Sequence, residues 1–195
     1  LMVGTGGPDG KSFLYPKNQL TRAQMAAIIN RAFGATVESN IENVYSDVTL
    51  NDWYYHDVAR AVNMLTLHGT SQSTMNPNSY VKREDVFTAV ARALVLDSDD
   101  TSVLTRFSDE SDISGYARSS VAALVEAGYA DGYPDGRLLP KKYVTREEFA
   151  QLLHNIIKKY ISQDGSQSIF TFNGNILIRT PGVYLHDTEI FGDLI

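Results

Sequence analysis

The chain has 195 residues, 43% of them hydrophobic, a formal net charge of −6 and no cysteine. Disulfides and thiolate metal sites are excluded, and the acidic balance argues against a nucleic-acid partner. No apolar run reaches the length a membrane helix needs, so no membrane insertion is expected, and an anionic ligand must be caught by a local cationic site.

The first element is a glycine-rich stretch, GTGGPDGKSF, from Gly4 to Phe13. Gly10-Lys11-Ser12 matches the end of a phosphate-binding loop, but Thr5 stands where that pattern needs its first glycine. Pro16 lies where the helix behind such a loop should already run. The glycines therefore serve turns, not a phosphate. After Pro16 comes Thr21-Arg22-Ala23-Gln24, a capping-box pattern, and then the helical run MAAIINRAF. A polar linker, Ala35–Asn43, follows.

The next elements are Tyr45-Ser46-Asp47, the aromatic Trp53, a helical run DVARAVNMLTL, and a loop from Gly69 to Pro77. Lys82-Arg83-Glu84-Asp85 then opens the helical run VFTAVARALVL. Lys82 has no oxygen to cap with, so this helix is expected to start less sharply than the others. After the linker Asp97–Thr105 the order recurs: Phe107-Ser108-Asp109, Tyr116, a helix RSSVAALVEAGYA, a loop from Gly132 to Pro140, Thr145-Arg146-Glu147-Glu148, and FAQLLHNIIKKYI. The chain thus holds a repeat anchored on Pro16, Pro77 and Pro140, and the first copy lacks its first helix. One helical hairpin cannot bury its apolar face alone, so the copies must pack on one another. From Ser168 onward, β-branched and aromatic residues alternate with polar ones around Asn173-Gly174 and Pro181-Gly182. This β-rich tail has the cadence of a solenoid coil. A leading Leu1 and an apolar close at Leu194-Ile195 suggest a piece of a longer protein.

The ordered recurrence of Tyr45-Ser46-Asp47, Trp53, His68-Gly69-Thr70, Met75-Asn76-Pro77 and Lys82-Arg83-Glu84-Asp85, with its counterparts around Leu14-Tyr15-Pro16 and Phe107 to Ala150, resembles the S-layer homology domain. The resemblance covers roughly Leu1 to Ile161. It implies a mainly α fold, with tandem helical-hairpin repeats packed as a pseudo-threefold bundle and a short β-rich C-terminal tail. Repeats are expected over 1–34, 44–96 and 106–161, and the tail over 168–195.

The family implies a secreted protein held at the bacterial cell wall or surface, without catalysis. The implied partner is a secondary cell-wall polysaccharide carrying a pyruvylated sugar, with peptidoglycan as the alternative. No cofactor or metal is implied, and the oligomeric state stays open. Carried over, Arg22, Arg83 and Arg146 would grip the pyruvate carboxylate beside a helix N-terminus that adds donors. Asp47, Asp109, Trp53, Tyr116, Gly69 and Gly132 would line the same grooves. The pattern departs from the family at Lys82, which replaces Thr, at Leu65, which stands where the third copy has Gly128, and at Tyr116, which replaces Trp. Either Arg22 with Asp47 and Trp53, or Arg83 with Asp109 and Tyr116, would form the better groove.

Each of these residues also has a plain structural role open to it. The arginines can brace a turn, the aspartates can cap one, the aromatics can anchor a core, and the glycines can simply turn the chain. His56, His68, His154 and His186 show no ligand spacing, and Glu147-Glu148 and Asp99-Asp100 suit a helix start and a solvated linker better than acid–base chemistry. Two other functions stay in play: a protein-interaction or S-layer lattice scaffold, and the anchoring part of a polysaccharide-active enzyme whose catalytic domain lies elsewhere.

Overall fold

A computed structural model describes Met2, Gly4–Gly6 and residues 11–195. Of the opening glycine-rich stretch, Gly7, Pro8, Asp9 and Gly10 lie outside the described residues. The chain divides into two compact units, Leu1–Phe149 and Ala150–Ile195. The first unit holds a short antiparallel pair, β1 (Thr5–Gly6) and β2 (Ser12–Phe13), and the helices α1 (Arg22–Phe33), α2 (Tyr55–Asn63), α3 (Arg83–Ala93) and α4 (Arg118–Glu126). Helix α5 (Arg146–Ile156) begins in it and ends in the second unit.

Two sequence expectations are overturned. The chain is not a mainly α bundle: helix makes up 34% and strand 19%. Nor do the repeats fold as separate helical hairpins. Helix α1 packs on α2 and α3 on α4, so each pair joins the second helix of one copy to the first helix of the next. The reason lies in α1, which buries Ala23, Met25, Ala26, Ile28, Ile29 and Ala32 on several sides and so needs more cover than one partner helix provides. Buried Asn30 fixes the α1–α2 pair by donating from Nδ2 to the Asp57 carbonyl at 2.8 Å.

Backbone hydrogen bonds, as well as helix packing, join the three copies. Val81 N–H donates to Leu20 O at 3.0 Å, Leu20 N–H to Val144 O at 2.9 Å, and Val144 N–H to Val81 O at 3.0 Å. Equivalent residues thus close a ring, and all three are buried. The residues just inside each helix repeat the pattern. Arg22, Arg83 and Arg146 donate their N–H groups to Ser79, Lys142 and Asn18 carbonyls, and Ala23, Glu84 and Glu147 donate theirs to Pro77, Pro140 and Pro16. Helix N-terminal donors, which otherwise need water, are satisfied by the loop of a neighbouring copy. The third orphan donor is met locally. Thr21 Oγ1 accepts from Gln24 N–H at 3.3 Å while Gln24 Oε1 accepts from Thr21 N–H at 3.2 Å, and Thr145 with Glu148 repeats this at 3.3 and 2.9 Å. At Lys82 only half of the box survives, with Asp85 Oδ2 accepting from Lys82 N–H at 3.3 Å.

In the second unit the helical run stops earlier than its pattern suggests. Ile157–Ile161 is a strand, β3, so the β region begins there and not at Ser168. Ile157, Tyr160 and Ile161 suit a strand, and β3 pairs in parallel with β5 (Asn175–Ile178). Strand β4 (Gly165–Asn173) pairs in parallel with β6 (Val183–Phe191), and Leu194 returns to bridge Ile176. Ile161, Ile169 and Ile176 form the core of these stacked turns, covered by Phe172, Leu185 and Ile190.

Candidate functional site

The loop before each of Pro16, Pro77 and Pro140 is strained in the same way. Tyr15, Asn76 and Leu139 have φ of 43°, 51° and 56°. Left-handed backbone is costly for any residue with a Cβ, and a residue before proline is restricted further. Asp47 and Asp109 hold this strain in place. Asp47 accepts from Met75 N–H at 2.9 Å and Asn76 N–H at 2.7 Å, and Asp109 accepts from Leu138 and Leu139 N–H groups, both at 2.8 Å. Both carboxylates are therefore committed to the loop backbone. Gly69 and Gly132 serve the same loops. A Cβ on Gly69 would collide with Ser71 O and meet the Tyr45 ring at 2.8 Å, and one on Gly132 would meet the Phe107 ring at 2.7 Å.

The arginines sit on these loops. Arg22 donates from Nε to Met75 O at 2.9 Å and from Nη2 to His68 O at 2.5 Å. Arg83 does the same to Leu138 O at 2.9 Å and Asp131 O at 3.3 Å, and Arg146 donates from Nε to Leu14 O at 2.8 Å. Each guanidinium thus braces a loop of a neighbouring copy through carbonyls. At α1 and α5 the N–H groups beside them are already bonded to loop carbonyls or capping side chains, while at α3 Lys82 supplies no cap for the Asp85 N–H.

Arg22 lines a groove of about 520 Å³, with His68, Gly69, Thr70, Asp85, Arg92 and Tyr116 among its walls. Tyr116 donates its hydroxyl to Asp85 Oδ1 at 2.6 Å. Burial, and then that bond, push its phenol well above the ordinary range. Burial also lowers the Arg22 guanidinium from its ordinary value, against the pull of Asp85, and leaves it protonated at any physiological pH. The structure therefore brings Tyr116 to Arg22, not to Arg83, and Trp53 is not among the lining residues of this groove. Trp53 is 62% exposed and stacks edge-on against Tyr54.

Tyr116 is held from behind. Ser114, two residues earlier, donates its N–H to Glu84 Oε2 at 2.9 Å, and Lys141 Nζ donates to Glu84 Oε1 at 2.6 Å. Glu84 is only 1% exposed while Lys141 reaches solvent, so this clamp joins a buried carboxylate of α3 to the turn carrying Tyr116.

Arg83 has different surroundings. Its guanidinium lies 4.8 Å from the Phe87 ring centroid and 5.0 Å from that of Tyr133. Tyr133 donates to Glu148 Oε1 at 2.9 Å, and Lys142 Nζ donates to the same oxygen at 2.5 Å. Burial alone would raise the Glu148 carboxyl, but Lys142, the Thr145 N–H and Tyr133 outweigh it and hold the group down at about 2. Arg106 pairs with Asp131 at 2.6 Å.

Three groove residues escaped the sequence reading: Asp85, His68 and Arg92. A signal for them exists. Asp85, Thr88, Ala89 and Arg92 fall at helical spacing along one face of α3, and that face lines the Arg22 groove. Among the described residues no group of three or more His, Asp or Glu is arranged to hold a metal ion.

The model of the S-layer homology domain matches residues 106–150. The chain is similar to an amylopullulanase of Thermoanaerobacterium thermosulfurigenes, at 29% identity over 74% of this chain and 8% of that protein. It is similar to the S-layer protein EA1 of Bacillus anthracis, at 26% identity over 86% of this chain and 19% of that protein. A cellulosome-anchoring protein of Acetivibrio thermocellus matches at 26% identity over 79% of this chain and 35% of its own length. The chain thus spans a small part of each of these relatives.

Proposed function

Because this chain carries an S-layer homology domain at residues 106–150, we propose that it is a module that anchors a protein to the bacterial cell wall by taking an acidic wall polysaccharide into the groove at Arg22. The domain is a non-catalytic anchoring module that works at the cell surface. An enzyme such as the amylopullulanase relative, of which the chain spans 8%, has ample length elsewhere for its chemistry. No helix among the described residues is long and apolar enough to cross a membrane.

The observation that carries the ligand assignment is the state of Arg22. Two loop carbonyls fix its orientation in an open groove, and its charge has no carboxylate at ion-pair distance among the described residues. An oriented guanidinium without an ion-pair partner among the described residues suits a carboxylate ligand, and a pyruvate ketal on a sugar presents one. Tyr116 would offer its ring to the sugar, and Gly69 would let the ligand approach the loop backbone. Asp47 would act as a positioning residue, holding the loop on which Arg22 rests. Asp109 and Gly132 would serve Arg83 in the same way, and Arg146 and Trp53 would belong to further, weaker sites.

Co-sedimentation with purified Gram-positive-type wall sacculi tests this proposal. The unaltered chain should bind, and binding should vanish when the secondary polymer is chemically removed. Arg22→Ala should lower binding about tenfold or more while the chain still folds, the effect of losing one charge-assisted contact. Binding that survives removal of the polymer would assign the ligand to peptidoglycan, and unaltered binding by Arg22→Ala would remove the groove from consideration.

A further inference from the structure

We propose that Arg92, seated on His68, forms a second anion subsite in the Arg22 groove, so that the preferred ligand is a glycan carrying anionic groups on two adjacent sugars. This rests on the Arg22 groove being the glycan site.

Arg92 stands in the last turn of α3 and donates from Nη1 to His68 Nδ1 at 2.8 Å. A guanidinium cannot accept, so Nδ1 is the acceptor, and the imidazole is neutral with its hydrogen on Nε2. Burial, then the charges of Arg92 and Arg22, hold the His68 pKa below its ordinary value, which agrees with that state. His68 therefore sits between the two arginines: its carbonyl accepts from Arg22 and its ring from Arg92. A neutral acceptor orients Arg92 without cancelling its charge.

The charge balance of the groove points the same way. Its walls carry two arginines and one carboxylate, Asp85. Asp85 is already occupied, by the Tyr116 hydroxyl at Oδ1 and the Lys82 N–H at Oδ2, and it forms no ion pair with either arginine. In a chain of net charge −6 this groove is a local positive site. Arg22 has spent Nε and one Nη on carbonyls, so it can hold one carboxylate but not wrap it from both sides. Arg92 is exposed and keeps Nε and Nη2 for a second anion. The position equivalent to His68 in the next loop is Asp131, which pairs with Arg106, so the arrangement is particular to the Arg22 groove.

Calorimetric titration of the whole chain with two matched disaccharides tests the proposal. Both contain a 4,6-pyruvylated hexose, linked at O1 to glucuronic acid in one and to glucose in the other, so they differ by one carboxylate. The unaltered chain should bind the two-carboxylate probe about tenfold more tightly. Arg92→Gln should erase that preference while leaving affinity for the one-carboxylate probe within about twofold. Arg22→Gln should weaken both. Equal binding of the two probes by the unaltered chain, or a preference that survives Arg92→Gln, overturns the second subsite. A preference that depends on Arg92 beside an Arg22→Gln variant of normal affinity would instead sink the role of Arg22 and keep that of Arg92. If neither probe binds the unaltered chain, the groove assignment falls and the second subsite falls with it.

Discussion

The surroundings of Arg22 and Arg83 start from one design and end in different chemistry. Both guanidiniums lean on two carbonyls of the following loop, and both loops are pinned by an aspartate, Asp47 or Asp109. Around Arg83 the charges are satisfied internally: Lys142 meets Glu148, Arg106 meets Asp131, and Tyr133 covers the guanidinium. Around Arg22 the residue in the place of Tyr133 is Thr70, the residue in the place of Asp131 is His68, and the groove stays open and positive. The shared anchor is a folding device. The neighbours that differ decide whether a ligand can use it.

The largest effect expected of breaking this difference is at Glu84. Glu84→Ala removes the acceptor for the Ser114 N–H and the partner of Lys141, whose side chain is 45% exposed. Water can take up the Lys141 charge, but the half-buried Ser114 N–H loses its acceptor, which costs about 1–3 kcal/mol. The turn that carries Tyr116 should loosen with it. The equivalent residue in the third copy is Glu147, paired with Lys17 on the surface, and Glu147→Ala should cost about 0–1 kcal/mol. Urea unfolding of both variants measures the difference, and equal costs would mean that the Glu84 clamp is not a buried interaction.

A smaller effect separates the two sites by pH. The Glu148 carboxyl is held down at about 2, against an ordinary 4.5. Its folded value lies below its unfolded one, so its contribution to stability is full above pH 4.5 and is lost as the pH falls from 4.5 toward 2. Glu148→Gln should therefore flatten the acid limb of the stability curve over that window. Tyr133, whose hydroxyl rests on Glu148, should keep its place until the pH nears 2 in the unaltered chain. Tyrosine ring signals followed by NMR during acid titration check this, and release of Tyr133 at or above pH 4.5 would show that Glu148 does not hold it.

Much of this was legible in the sequence where the cause is local. Thr21 with Gln24 and Thr145 with Glu148 are caps because their chemistry reaches only three residues. The recurrence of proline, glycine and Ser-Asp turns marked the repeats for the same reason. The acceptors of Arg22 were not legible, because Met75 lies 53 residues away and offers only a carbonyl, which no residue type advertises. Asp47 suggested a turn or a sugar contact, yet it serves a backbone strain that exists only once the loop has folded. The stretch Ile157–Ile161 carries apolar residues that fit both a helix and a strand, and only its pairing with β5 decides. The helix pairing failed as an expectation because the ring through Leu20, Val81 and Val144 joins the copies to one another and frees each helix to pack with the next copy.

The smallest effect sharpens the comparison of the copies at a helix end. Helix α1 stops at Gly34, which is left-handed with φ of 70°, and the equivalent residue after α3 is Val95, with φ of 56°. Glycine takes this conformation freely, whereas a β-branched residue is strained there. Val95 is 91% exposed, so its side chain contributes almost no burial to offset the strain. Val95→Gly should therefore stabilise the chain by about 1 kcal/mol, and Gly34→Val should destabilise it by at least as much. The same turn carries Arg92, so a better-capped α3 should hold that guanidinium more steadily against His68. A thermal unfolding midpoint that falls in Val95→Gly would show that the left-handed turn is not the conformation this residue adopts in solution.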